Sequence, residues 1–128
     1  MSDELFDKGM AVRKSVLGAE YVARAEANKT DFDADWQRYV TENAWGAVWT
    51  RPGLEKRIRS MLTIAMLASL GRHDELAAHI RATRNTGATR DEVKEVLLQV
   101  AVYAGAPAAN SAFAIAKRVY KEMESEGK

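Results

Sequence analysis

The chain has 128 residues, 47% hydrophobic and 29% charged, the balance of one soluble globular domain spanning residues 1–128 rather than a disordered polymer. Lys plus Arg number 19 against 18 Asp plus Glu, a formal charge of +1, which lacks the basic excess that phosphate neutralisation demands and argues against nucleic acid as a partner. The cysteine count of 0 excludes disulfide scaffolds, thiolate metal sites and thiol catalysis; no apolar run reaches the roughly 18–20 residues of a membrane span and no signal-peptide core is present, so a cytoplasmic protein is expected.

Apolar residues recur at helical spacing, which predicts an all-α bundle of about six helices with short connections. The first runs from about Asp3 to Leu17 and stops at Gly18, a position suited to a left-handed cap. A short second helix, Ala19 to about Ala27, carries Tyr21 and Val22. Asp31 or Asp33 is placed to cap a third, with Phe32, Trp36, Tyr39, Val40 and Asn43 on one face. The stretch from Trp45 to Gly53 reads as irregular, and Pro52 suits the first turn of the next helix. That fourth helix, about Gly53 to Leu70, starts charged and becomes apolar on all sides from Met61, which predicts a central buried element.

Gly71 ends it, and a fifth helix from Asp74 to Asn85 stops before Gly87. Thr89 and Glu92 have the spacing of a capping box. The helix they open carries Val93, Val96, Leu97, Val100, Ala101 and Ala104 on one stripe. Gly105-Ala-Pro107 breaks it, and a last helix places Ala109, Ala112, Phe113, Ala116 and Tyr120 on one side. This much apolar face on so short a chain predicts a homo-oligomer.

Three groups of residues can carry chemistry. Glu75 and His79 lie one helical turn apart and border the apolar stripe of Leu76 and Ile80. They read either as an active-site pair or as an ordinary solvated pair. A metal site is disfavoured, since His73 is the only other imidazole. Arg51, Lys56, Arg57 and Arg59 gather near the start of the fourth helix, with Trp45 and Trp49 before them. They suit a carboxylated small molecule or form a solvated basic helix start, with the tryptophans as core or subunit-interface anchors. Gln99 and Tyr103, one turn apart, and Asn110 are polar groups beside apolar surface, explained by core hydrogen bonds as readily as by a ligand.

The segments Trp49-Thr-Arg-Pro-Gly-Leu54, Arg57-Ile-Arg-Ser60, Ala68-Ser-Leu-Gly-Arg72, Glu75-Leu76 with His79, Asn85-Thr-Gly87 and Glu95 to Gly105 with Pro107-Ala-Ala-Asn110 resemble the gamma-carboxymuconolactone decarboxylases. The resemblance covers nearly the whole chain. It implies the alkylhydroperoxidase D-like fold, a symmetric oligomer (commonly a hexamer) and cofactor-independent decarboxylation of 4-carboxymuconolactone to the 3-oxoadipate enol-lactone in protocatechuate degradation. Redox relatives carry Cys-x-x-Cys-x-x-x-His. Laying His79 on that histidine puts Arg72 and Glu75 at the cysteine positions, so thiol peroxidase chemistry has no thiolate here.

On this resemblance His79 is the expected proton donor, with Glu75 fixing its tautomer or sharing the acid role. Arg51 and Arg59 are expected to bind substrate carboxylate, Trp49 to shape the pocket and Tyr103 to face the oxyanion. Gln99 stands where some members carry histidine. A related lactone-acid decarboxylase or isomerase, and a non-catalytic oligomeric binding protein, are the rival readings.

Overall fold

A computed structural model describes residues 2–127 as helices and turns, with no strand among them. The described residues form eight α-helices and one π-helical segment, more than the expected six but of the expected all-α class. The chain divides into two compact units, one ending at Glu55 and the other starting at Lys56.

The first unit contains α1 (Ser2–Leu17), α2 (Ala19–Ala27) and α3 (Ala34–Val40). Gly18, at φ 95° and ψ 142°, turns the chain from α1 into α2; it is a positive-φ glycine where one was expected, but extended in ψ and so not the left-handed cap. Asp33 stands before α3, but its carboxylate accepts the Thr30 N–H at 2.8 Å instead of capping the helix. The face carrying Phe32, Trp36 and Tyr39 is exposed.

From Thr41 to Trp49 the backbone runs on as a π-helix, so the irregular stretch expected from Trp45 shrinks to the residues after Trp49. Two glycines make room for this wider coil. A Cβ on Gly9 would lie 2.0 Å from the Thr41 carbonyl oxygen, and one on Gly46 would lie 2.5 Å from that of Leu5. Arg13, almost fully buried, ties the unit together. Its guanidinium donates to Glu26 of α2 at 3.3 Å, Gln37 of α3 at 3.3 Å and Thr41 of the π-helix at 3.4 Å. Burial alone would raise the Glu26 carboxyl, but hydrogen bonds and charge from Lys29 and Arg13 outweigh it and hold its pKa below the ordinary value.

The second unit contains α4 (Lys56–Leu70), α5 (His73–Arg81), α6 (Thr83–Thr86), α7 (Arg90–Ala104) and α8 (Ala106–Ser125). Its core joins Ile64 and Ala68 of α4, Leu76 and Ile80 of α5, Val93, Leu97 and Val100 of α7, and Ala112, Ala116, Val119 and Met123 of α8. Gly71 and Gly87 adopt positive φ and end α4 and α6 as expected. Both capping-box hydrogen bonds form, Glu92 N–H to Thr89 Oγ1 at 3.1 Å and Thr89 N–H to Glu92 Oε1 at 3.0 Å.

Three expectations are corrected here. α4 begins at Lys56, because residues 52–55 form a turn, so Pro52 precedes the helix instead of opening it. The apolar half of α4 is buried on one side only. Ile64 and Ala68 enter the core, whereas Leu62, Met66 and Leu70 face outward. The single helix expected from Asp74 to Asn85 is interrupted at Ala82, after which the short α6 re-aims the chain. Thr86 of α6 donates to the Ser60 hydroxyl at 3.0 Å, a buried polar tie back to α4.

Candidate active site

Leu76 and Ile80 anchor α5 in the core, and the intervening turn sets His79 at the core's border with Glu75 exposed one turn before it. Most of the imidazole is out of water. Burial pushes its pKa down to about 4, against the opposing pull of the Glu75 charge. At neutral pH the free protein therefore presents a neutral ring with one N–H donor and one acceptor. This answers the sequence-level ambiguity in part: the pair is not a solvated surface pair on the His79 side.

The basic start of α4 is less of a cluster than its spacing suggested. Arg57 donates to Glu92 Oε2 of α7 and lies 3.9 Å from Met61 Sδ, so its guanidinium is engaged with the start of α7. Arg59, two residues on, is half-buried. Arg51 is exposed in the turn after the π-helix of the first unit. There Trp49 stacks on the buried Trp45, ring centroids 5.0 Å apart, a pairing that fixes Trp49 in place.

A cleft of about 440 Å³ lies between α4 and α7. Its walls are apolar, with Ile58, Met61, Ala65 and Val96 prominent. Its polar groups are Ser69 on α4 and the row Glu95, Gln99 and Tyr103 on α7. The spacing of four residues brings Gln99 and Tyr103 onto one face, as read from the sequence. Glu95 completes that row and was missed, although the same spacing points to it. Tyr103 is 82% exposed on the rim. Neither His79 nor Arg59 lines this cleft, so Gln99 and Tyr103 share a cleft that does not include the Glu75 and His79 pair. Among the described residues no three His, Asp or Glu side chains converge as a metal would require.

Comparison with known proteins gives a consistent answer. Residues 34–118 match the carboxymuconolactone decarboxylase family. The chain is 47% identical over 124 residues to the 4-carboxymuconolactone decarboxylase of Acinetobacter baylyi, covering 96% of this chain and 92% of that protein. It is also 42% identical over 123 residues to a nitrosuccinic acid decarboxylase of Metarhizium robertsii, covering 96% of this chain and 86% of that one.

Proposed function

The chain belongs to the carboxymuconolactone decarboxylase family, and on that premise we propose that it removes CO2 from 4-carboxymuconolactone, without a cofactor, to give the 3-oxoadipate enol-lactone of protocatechuate degradation. One observation carries this reading: two relatives matched over 96% of the chain are named a 4-carboxymuconolactone decarboxylase and a nitrosuccinic acid decarboxylase. The family match runs across the boundary between the two units, which supports treating residues 1–128 as one functional domain.

The chemistry asks little beyond well-placed polar groups. When the bond to the γ-carboxylate breaks, its electron pair moves through the ring double bond onto the lactone carbonyl oxygen. The pair then returns to the α carbon as that carbon takes a proton. The substrate is its own electron sink. The protein supplies a donor for the oxyanion, a proton and a grip on the carboxylate that stays. Gripping the departing carboxylate would stabilise the ground state and slow the step.

His79 suits the first task as a neutral imidazole, because an N–H donor meets the developing oxyanion without first taking up a proton. The proton for the α carbon follows along the Glu75–His79 pair from solvent. By the family resemblance Arg59 and Arg51 take the remaining carboxylate and Trp49 the ring, while Tyr103, in a cleft that His79 does not line, joins the same site only when a second copy supplies it. A homo-oligomer, a hexamer by the family resemblance, is supported by the outward Leu62, Met66 and Leu70 of α4 and Leu98 and Val102 of α7. A cytoplasmic location is proposed with it; no described helix is long and apolar enough to cross a membrane.

The second reading, favoured by the nitrosuccinic acid relative, is a decarboxylase of another diacid with a built-in electron sink. Ultraviolet loss of the conjugated lactone, with CO2 measured in parallel and nitrosuccinic acid assayed beside it, separates the two. His79→Ala is expected to lower turnover about 100- to 10,000-fold with helix content unchanged. As far as His79 is concerned, kcat/KM should be flat from about pH 5.5 upward, since the free ring is already neutral there. A tenfold fall per pH unit above pH 4 would instead mean that imidazolium forms before CO2 leaves. No turnover of either acid by a folded wild-type protein overturns the assignment.

A further inference from the structure

Two surfaces of the chain are opposite in character. In the turn before α3, Phe32 is 98% exposed, and Trp36 and Tyr39 continue the ridge, stacked with centroids 6.1 Å apart. Asp31 and Asp35 flank Phe32 in sequence and form no ion pair among the described residues, so this aromatic ridge is acidic. Between α7 and α8 lies a cleft of about 230 Å³. Buried Val93, Leu97 and Ala116 form its floor, and the half-buried rings of Phe113 and Tyr120 form its sides.

The rim of this cleft is basic: Arg90, Lys94 and Lys117, with Asp91 as the only acid lining it. Arg90 stacks 4.5 Å above the Tyr120 ring and pairs with Glu124 at 2.8 Å, while Lys94 sits 3.8 Å from Asp91. Lys117 forms no ion pair among the described residues.

We infer that the Phe32 ridge of one copy docks into the α7–α8 cleft of a second copy, with Asp31 and Asp35 against the lysine rim. The inference rests on the homo-oligomer reading above and adds the surfaces and the chemistry that join the copies. Size and charge both favour it. A cavity of about 150 Å³ already accepts a benzene ring, so the cleft has room for one phenylalanine side chain. An apolar centre ringed by complementary charge is the anatomy of a specific interface, in which the charges set register and the aromatic anchor is enclosed. The ridge and the cleft are different surfaces, so the contact is heterologous and each copy offers both halves. Such contacts close into a ring when the rotation between copies permits.

The cysteine-free sequence makes the test clean. Asp31→Cys and Lys117→Cys proteins are purified separately, mixed and oxidised mildly. The expected product is a mixed disulfide dimer absent from either protein alone. In sedimentation, Lys117→Glu should weaken assembly at least tenfold with helix content unchanged, and adding Asp31→Lys and Asp35→Lys to it should restore the wild-type species. A wild-type protein that sediments as a 14.2 kDa monomer overturns the oligomer reading and this contact together. An intact oligomer with no mixed disulfide and no response to Lys117→Glu overturns the contact alone. That includes the outcome in which benzoate, used as a probe, titrates the cleft without changing the assembly and marks it as a small-molecule site.

Discussion

The two units of this chain are stabilised by different means. The second packs helices of ordinary pitch around an apolar core that draws on α4, α5, α7 and α8, with glycines and a capping box closing the helix ends. The first has few buried apolar side chains, chiefly Val16, Val22 and Trp45, and is organised around the guanidinium of Arg13 and the close backbone approaches at Gly9 and Gly46. An apolar core loses stability with the volume removed from it, whereas a polar hub that loses one group leaves that group's buried partners unsatisfied. The difference predicts where each unit is fragile.

The largest effect belongs to the second unit. Leu97 is fully buried and sits where α7 meets the rest of the core. Leu97→Ala should cost about 2–5 kcal/mol, transfer plus residual cavity. Urea unfolding followed by circular dichroism measures it. A loss below about 1 kcal/mol would mean the α7 side of the core collapses into the gap.

That unit was also the easier one to read in the sequence. Val93, Leu97 and Val100 recur at helical spacing, and they are the residues that are buried. Thr89 and Glu92 announced the start of α7, and Gly71 and Gly87 the ends of α4 and α6. The reading failed where periodicity carries no information about partners. Leu62, Met66 and Leu70 look as buried as Ile64 in the sequence, because a helix apolar all round does not say which face has a neighbour. The π-helix left no signal either, and the close approach of Gly9 and Gly46 to backbone distant in sequence is not written in the local pattern. The candidate site divides in the same way. The i, i+4 spacing found Glu75 with His79 and Gln99 with Tyr103. The shifted pKa of His79 comes from burial, which spacing does not reveal. Glu92 as a partner of Arg57 is a long-range contact that was invisible.

Arg13 tests the polar hub of the first unit. Arg13→Met keeps much of the volume but removes the donors to Glu26, Gln37 and Thr41, the last of them buried. The expected loss is about 1–3 kcal/mol, the cost of orphaning a buried polar group. Faster amide exchange should be confined to α1, α2, α3 and the π-helix. The pH response has a definite sign. The Glu26 carboxyl lies below its ordinary pKa in the folded protein, so its contribution is present above the unfolded value and lost as the pH falls through the folded one. Arg13→Met should flatten that acid loss. An unchanged acid limb would assign the lowered pKa to Lys29 alone.

The smallest effect separates the two jobs of Glu92. Its Oε1 accepts the Thr89 N–H in the capping box, while Oε2 takes the Arg57 guanidinium of α4. Thr89→Ala removes only the hydroxyl that accepts the Glu92 N–H and should cost about 1 kcal/mol, as an N-cap substitution does. Glu92→Gln leaves an amide oxygen to accept from Thr89 but takes away the charge facing Arg57. Both partners are about one-third exposed, with side chains at 36% and 30%, so solvent screens the pair and its loss should stay below about 1 kcal/mol. Glu92→Ala removes both contacts and should exceed Thr89→Ala by about the amount Glu92→Gln costs. Chemical denaturation of the three variants decides the matter. If Glu92→Ala costs no more than Thr89→Ala, the Arg57 pair contributes nothing to stability, and its work is confined to fixing the guanidinium at the start of α4. If it costs more, the start of α7 is energetically joined to α4, so the cap that the sequence showed as local is part of the unit's tertiary structure.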